Sequence, residues 1–211
     1  MSDYIFDLIR GGESENLDFK HSITDSKKIA RSLVAFANTN GGRLLVGVRD
    51  NGSISGIKTD EEYYMVEAAA QLYCKPEIKF STDTWNIHGK TVLEITIPKS
   101  IQKAYYARDK DNKWKVYIRV KDQNLLANRI LIKVWKQRRK DRGTFVRYTE
   151  KEKILLDYLS DNPYITFSKF RKIARISPFK AERILINMVV LNLVDIVFTE
   201  TNTYYTLKKD S

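Results

Sequence analysis

The segment from Gly11 to Asp50 leaves the backbone few choices. Residues Asn16 to His21 alternate, with Leu17 and Phe19 on one side and Asp18 and Lys20 on the other, the two-residue period of a half-buried strand. Asp25 or Ser26 can cap a helix running to about Asn38, in which Ile29, Leu33, Phe36 and Ala37 recur at helical spacing. Asn40, Gly41 and Gly42 end that helix. An apolar strand follows from Arg43 to Val48, and Asp50-Asn51-Gly52 is a hairpin-turn sequence leading into Ser53 to Ile57. The spacing predicts a strand, helix, strand unit with three carboxylates, Glu13, Asp18 and Asp50, at its edges. Its glycine pair lies between a helix and a strand, whereas a phosphate-cradling loop lies between a strand and the N-terminus of a helix. That order excludes a P-loop here, and with it ATP binding.

The 211 residues suit one domain of ordinary size plus a small module. With 43% hydrophobic and 30% charged residues, the chain can build a core and is not of disordered type. No apolar run approaches the ~20 residues of a membrane span, and MSDYIFDLIRGGE lacks the order of a signal peptide. A cytoplasmic protein with no membrane partner is expected. Cys74 is the lone cysteine and the histidines are His21 and His88, so there is no internal disulfide and no Cys/His zinc set. Any metal would take oxygen ligands.

Beyond the first unit, the patterning predicts helices over Asp3 to Arg10 and Thr59 to Tyr73, the latter capped by Thr59 or Asp60. Ile78 to Phe80, Thr84 to Ile87, Thr91 to Ile97, Ala104 to Ala107 and Lys115 to Val120 read as strands of an antiparallel sheet. In the last of these, Lys115, Tyr117 and Arg119 oppose Val116, Ile118 and Val120. A helix is predicted from Asn124 through Leu131 and Trp135, broken by Gly143. The remaining residues change character: helices at Glu150 to Leu159, Phe167 to Ala174 and Pro178 to Leu193, the last capped by Ser177, then strands at Asp195 to Thr199 and Thr203 to Lys208. Three helices and a terminal hairpin is the order of a winged helix-turn-helix. The expected division is a domain over 1–131, a basic helix end and linker over 132–147, and a winged-helix-like domain over 148–211.

The net charge of +11 is uneven. Residues 132–211 hold 17 Lys and Arg against 9 Asp and Glu, net +8, and residues 1–131 hold 20 against 17, net +3. Lys133, Lys136, Arg138, Arg139, Lys140, Arg142 and Arg147 stand against Asp141 alone in one short stretch. Such a stripe beside folded modules is the footprint of a phosphate-backbone binder, or else a solvated helix face.

GESENLDFK, then AFANTNGGRLLVGVRDNG, then KVYIRV resembles the Schlafen/AlbA-like domain of bacterial predicted regulators and animal Schlafen proteins, over about Phe6 to Ala127. The resemblance implies an α+β fold, an AlbA/Schlafen-like mixed sheet with flanking helices, and nucleic-acid binding. Schlafen members include metal-dependent endoribonucleases that cut structured RNA such as transfer RNA. Their acidic triad maps onto Glu13, Asp18 and Asp50, which would be both catalytic and metal-binding, with Asp18 where Glu is usual. Converging carboxylates repel one another, and a divalent cation relieves that while activating water. Lys20 could then neutralise charge developing on phosphate, or simply pair with Asp18.

The first expectation is a DNA-binding transcriptional regulator needing no cofactor, with DNA favoured over RNA, acting as a homodimer. Its phosphate contacts would be Arg49, Arg119, Lys121, Lys136, Arg138, Arg139, Lys140, Arg142 and Lys180, with Tyr105, Tyr106 and Tyr117 available for stacking. The alternatives are an endoribonuclease using Mg²⁺ or Mn²⁺, and a protein-interaction or dimerisation module.

Overall fold

The computed structural model describes residues 2–100, 104–139 and 148–208. Its contacts divide the chain into two compact units, Met1–Ala127 and Asn128–Ser211.

In the first unit, α1 (Ser2–Gly11) precedes β1 (Leu17–Lys20), α2 (Ser26–Asn38) and β2 (Gly42–Val46). Then come α3 (Glu61–Leu72), β3 (Cys74–Lys75), β4 (Ser81–Ile87), β5 (Lys90–Ile97), β6 (Tyr106–Arg108), β7 (Trp114–Lys115), β8 (Tyr117–Val120) and β9 (Gln123–Leu126). The main sheet has the order β1-β2-β5-β4. Its β1–β2 pair is parallel, joined by α2, while β2–β5 and β5–β4 are antiparallel. Small ladders β3-β6-β7 and β8-β9 complete the unit.

α2 forms where the periodicity places it, with Asp25 accepting from Lys27 N and Lys28 N at its N-cap. It is buried along most of its length, from Ile29 to Ala37, because α3 and β8 both pack against it. The sheet is therefore covered twice. Leu44, Val46, Leu93, Ile95 and Ile97 join the core with α2, and Leu17, Phe19, Leu45, Ile87 and Val92 join a second with Ile5 of α1. Two covered faces account for the unbroken apolar run of β2. They also correct the expectation of a half-buried β1, where Asp18 is only 3% exposed. In β8, which lies in the separate β8-β9 ladder and packs on α2, Tyr117, Ile118 and Arg119 are all buried too. Alternation in the sequence marks two faces, but neither of these strands turns one to water.

Gly41 meets a geometric demand. Its φ is +71°, and a Cβ there would lie 2.8 Å from both Ile97 O and Lys99 N, so backbone comes too close for any side chain. Elsewhere the predicted elements shift. Ile78 to Phe80 lies outside the strands, and Val48 with Ile54 makes a single bridge in place of a hairpin. Residues 124–126 are strand, not helix, because Lys121 takes a left-handed turn (φ 54°) and returns the chain antiparallel along β8.

The second unit comprises α4 (Arg129–Arg138), α5 (Glu150–Asp161), α6 (Phe167–Ala174), α7 (Pro178–Val190), β10 (Val194–Phe198) and β11 (Thr203–Leu207). Asn128, Thr149, Thr166 and Ser177 cap the four helices, and Ile165 bridges Tyr205 on β11. Leu155, Phe170, Leu185 and Tyr205 form the core together with Ile130 and Val134 of α4. The helix that begins two residues before the division expected at 131 therefore lies wholly in the second unit. Among the described residues no helix is long and apolar enough to cross a membrane.

Candidate nucleic-acid interface

β1 delivers Asp18 to the α2 side of the sheet, and β8 delivers Arg119 to meet it. The guanidinium donates to Asp18 Oδ1 at 3.1 Å, to Leu17 O at 3.3 Å, to Ser14 O at 3.2 Å and to Asn124 Oδ1 at 3.1 Å. It also lies 5.0 Å from the centre of the Phe36 ring. On the other side, Lys20 Nζ is 3.0 Å from Asp18 Oδ2, an ion pair without hydrogen-bond alignment. Lys20 donates its hydrogen bond to Phe19 O instead. Glu13 accepts from Phe19 N at 2.7 Å, and burial, with Asp18 beside it, raises its carboxyl above the usual range. Glu13, Asp18, Lys20 and Arg119 thus form one compact cluster, with Asp18 and Arg119 buried and Glu13 and Lys20 half-buried at its edge.

Asp50 is not in it. Asp50 and Arg49 are exposed in the turn after β2, where Asn51 Oδ1 accepts from Ser53 N, and the turn chemistry alone accounts for the sequence there. Among the described residues no three His, Cys, Asp or Glu side chains are placed to hold a metal ion. Two of the three proposed carboxylates meet, and the compensation a divalent cation would give Asp18 is already supplied by Lys20 and Arg119. The residues present do not fit a bound Mg²⁺ or Mn²⁺.

The proposed phosphate contacts separate in the same way. Arg119 is 2% exposed and committed to Asp18, so it is an internal structural cation. Arg49, Lys121, Lys136, Arg138, Arg139 and Lys180 are exposed. Of these, Arg138 is tied to Val189 O and Asn192 Oδ1. Lys140 and Arg142 lie outside the described residues. Tyr117 is buried and Tyr105 and Tyr106 are half-buried; the backbone of Tyr105 and Tyr117 is held by Asn38.

α7, the helix that order would send into a DNA groove, is closed over most of its length. Ile184, Leu185, Ile186, Met188 and Val189 are buried. Its polar residues are engaged by α4: Lys133 and Arg129 pair with Glu182, and Gln137 donates to Asn187. Only Phe179, Lys180 and Arg183 are exposed along it after Pro178. Reading residue types missed a second group of exposed cations in this unit, Lys169, Lys172 and Arg175, beside the exposed Arg183. The signal was present, since no acid occurs between Asp161 and Glu182.

A family model described as Schlafen, AlbA_2 matches residues 13–128, more than half the chain. No curated protein matches the chain significantly. Among solved structures, the chain is similar to the DIP2311 protein from Corynebacterium diphtheriae at 15% identity and a TM-score of 0.46, covering 92% of this chain and 34% of that one. It is also similar to the N-terminal domain of a RecG-related protein from Nitrosomonas europaea, at 21% identity and a TM-score of 0.43, covering 59% and 95% respectively. The chain spans about a third of the length of the first of these.

Proposed function

We propose that this chain, which belongs to the Schlafen AlbA_2 family, is a nucleic-acid-binding protein. The observation that carries the reading is where the +11 excess comes to rest. Arg49, Lys136, Arg139 and Lys180 are exposed and meet no carboxylate within ion-pair distance among the described residues. Acids that could have balanced them, Asp18, Glu94 and Glu182, are paired with other cations. A surface left with unpaired positive charge attracts polyanions, and each phosphate it neutralises releases counterions.

DNA is the nucleic acid we favour, because the second unit has the element order of a helix-turn-helix module. Sequence-specific regulation would require base-reading side chains, so binding itself is the function advanced. The endoribonuclease reading draws no support from the acid cluster, whose third member is absent and whose central carboxylate is neutralised by protein cations.

Mobility-shift titrations with duplex DNA and structured RNA, each at low and high salt, test the reading. The expected result is a shift that weakens steeply as salt rises, with log affinity falling by about 0.9 per phosphate contact for each unit of log salt on DNA. No shift with either nucleic acid at low salt would remove it.

A further inference from the structure

Between Asn162 and Ala181 the chain carries Lys169, Arg171, Lys172, Arg175 and Lys180 and not one acid. The fold turns most of these outward at a single corner. On α6, Phe170 and Ala174 face the core, while Lys169 and Lys172 are exposed. Arg175 ends that helix in the left-handed conformation (φ 50°), also exposed. Two residues later Ser177 caps α7, whose first turn exposes Phe179 and Lys180, with Arg183 one turn on.

None of Lys169, Lys172, Arg175, Lys180 and Arg183 lies within ion-pair distance of a carboxylate among the described residues. Lys169 sits 5.8 Å from the centre of the Tyr158 ring, which is also not an anion. Glu182, the one acid in the neighbouring sequence, pairs with Arg129 and Lys133 of α4. Exposed like charges without a counter-ion attract a polyanion. The tip of the terminal hairpin, Thr199 to Asn202, contains Glu200 and no Lys or Arg. The corner, and not the hairpin tip, is the cationic feature.

What the corner can do is limited by α4. Beyond its first turn α7 exposes only Arg183, since its other polar side chains, Glu182 and Asn187, are taken by Lys133 and Gln137. α4 is no detachable cover, because Ile130 and Val134 belong to the unit's core. Base recognition needs several side chains at groove edges, whereas backbone attachment needs only well-placed cations.

We propose that the α6–α7 corner, through Lys172, Arg175, Lys180 and Arg183, grips the phosphate backbone of duplex DNA without reading its sequence. This rests on the nucleic-acid reading above and assigns it a surface and a mode. Two helices meeting across a short turn suit a duplex better than a flat anionic membrane or an acidic protein segment.

The test uses the full chain. Lys172→Gln/Lys180→Gln is compared with Lys153→Gln/Lys208→Gln, which removes equal charge from exposed positions off the corner. Folding of both is checked by thermal melting, and binding to two duplexes of unrelated sequence is measured by fluorescence anisotropy over a salt series. The corner variant should bind both duplexes roughly tenfold more weakly, with the salt slope shallower by about 2, and the control should stay near wild type. The corner assignment falls, with the family reading intact, if wild type binds and the corner variant matches it. It falls equally if wild type separates the two duplexes by more than roughly a hundredfold, as base readers do. Corner-dependent capture on phosphatidylserine vesicles, with duplex binding unchanged, would also overturn it. A wild type that binds no nucleic acid at all removes both readings.

Discussion

Arg119 and Asp18 stand 101 residues apart in sequence and join through a 3.1 Å charge-assisted hydrogen bond, with both side chains almost wholly buried. The pair fastens β8 to β1. Residues expected to touch phosphate and metal instead hold the first unit together.

Removing one partner of such a pair strands the other. Asp18→Ala should destabilise the chain by roughly 3–5 kcal/mol, because Arg119 keeps its neutral oxygen partners but loses its counter-charge. Arg119→Ala should cost at least as much, since Ser14 O, Leu17 O and Asn124 Oδ1 lose their donor and the space against Phe36 is emptied. Urea unfolding of both variants checks this, and a loss under about 1 kcal/mol in either would contradict the network.

Glu13 sets a pH dependence of definite sign. Burial and Asp18 raise its carboxyl above the ordinary 4.5, so the fold prefers the protonated form. Its contribution is complete below about the unfolded value and is lost as pH rises through the raised one. Glu13→Gln mimics the protonated form and should remove that component, so wild type should gain stability relative to the variant as pH falls from above the raised value to about 4.5 and run level with it below. A wild type that loses stability relative to the variant as pH falls through that range would reverse the assignment.

Asp109 behaves in the opposite sense. Lys115 at 2.6 Å, assisted by Lys113 N at 2.8 Å, holds its carboxyl down at about 2. Its stabilisation is present above the unfolded value of 3.8 and disappears as pH falls toward about 2. Thermal melts of Asp109→Asn should therefore match wild type below about pH 2, fall behind it between about 2 and 3.8, and stay a constant interval below it at higher pH.

Cys74 is buried, and its thiol is pushed up to about 12 by that burial. A thiol-reactive chromogenic disulfide should leave the native protein unlabelled at neutral pH and label it once in denaturant. Rapid labelling of the native state would mean that α2 and β3 open far more readily than their packing implies.

Gly41→Ala should destabilise by more than about 1 kcal/mol, from the positive φ together with the 2.8 Å approach of Ile97 O and Lys99 N. Gly89, with a positive φ but open space within 4 Å of where a Cβ would lie, provides the comparison. Its alanine variant should lose less, by the same denaturant titration.

Local chemistry is legible in the sequence wherever it is settled within a few residues. Asp25 and Ser177 cap the helices that the pattern assigns to them, and α6 runs from Phe167 to Ala174 as its periodicity predicts, because capping and helical periodicity act over a turn or two. The Schlafen/AlbA-like identity is legible too, since its turn residues and strands occur in a fixed order. What sequence could not convey was solvent exposure. Alternation in β1 and β8 marks two faces but not whether water reaches either, and here α1, α2 and the β8–β9 ladder leave neither open. The same limit governs the charges. A residue's type gives Arg119 and Lys180 equal claims on phosphate, and only the folded chain puts an aspartate against one and solvent against the other. Pairing and desolvation are properties of groups brought together from distant positions, so the roles of Asp18, Arg119 and the α7 face were decided by tertiary structure alone.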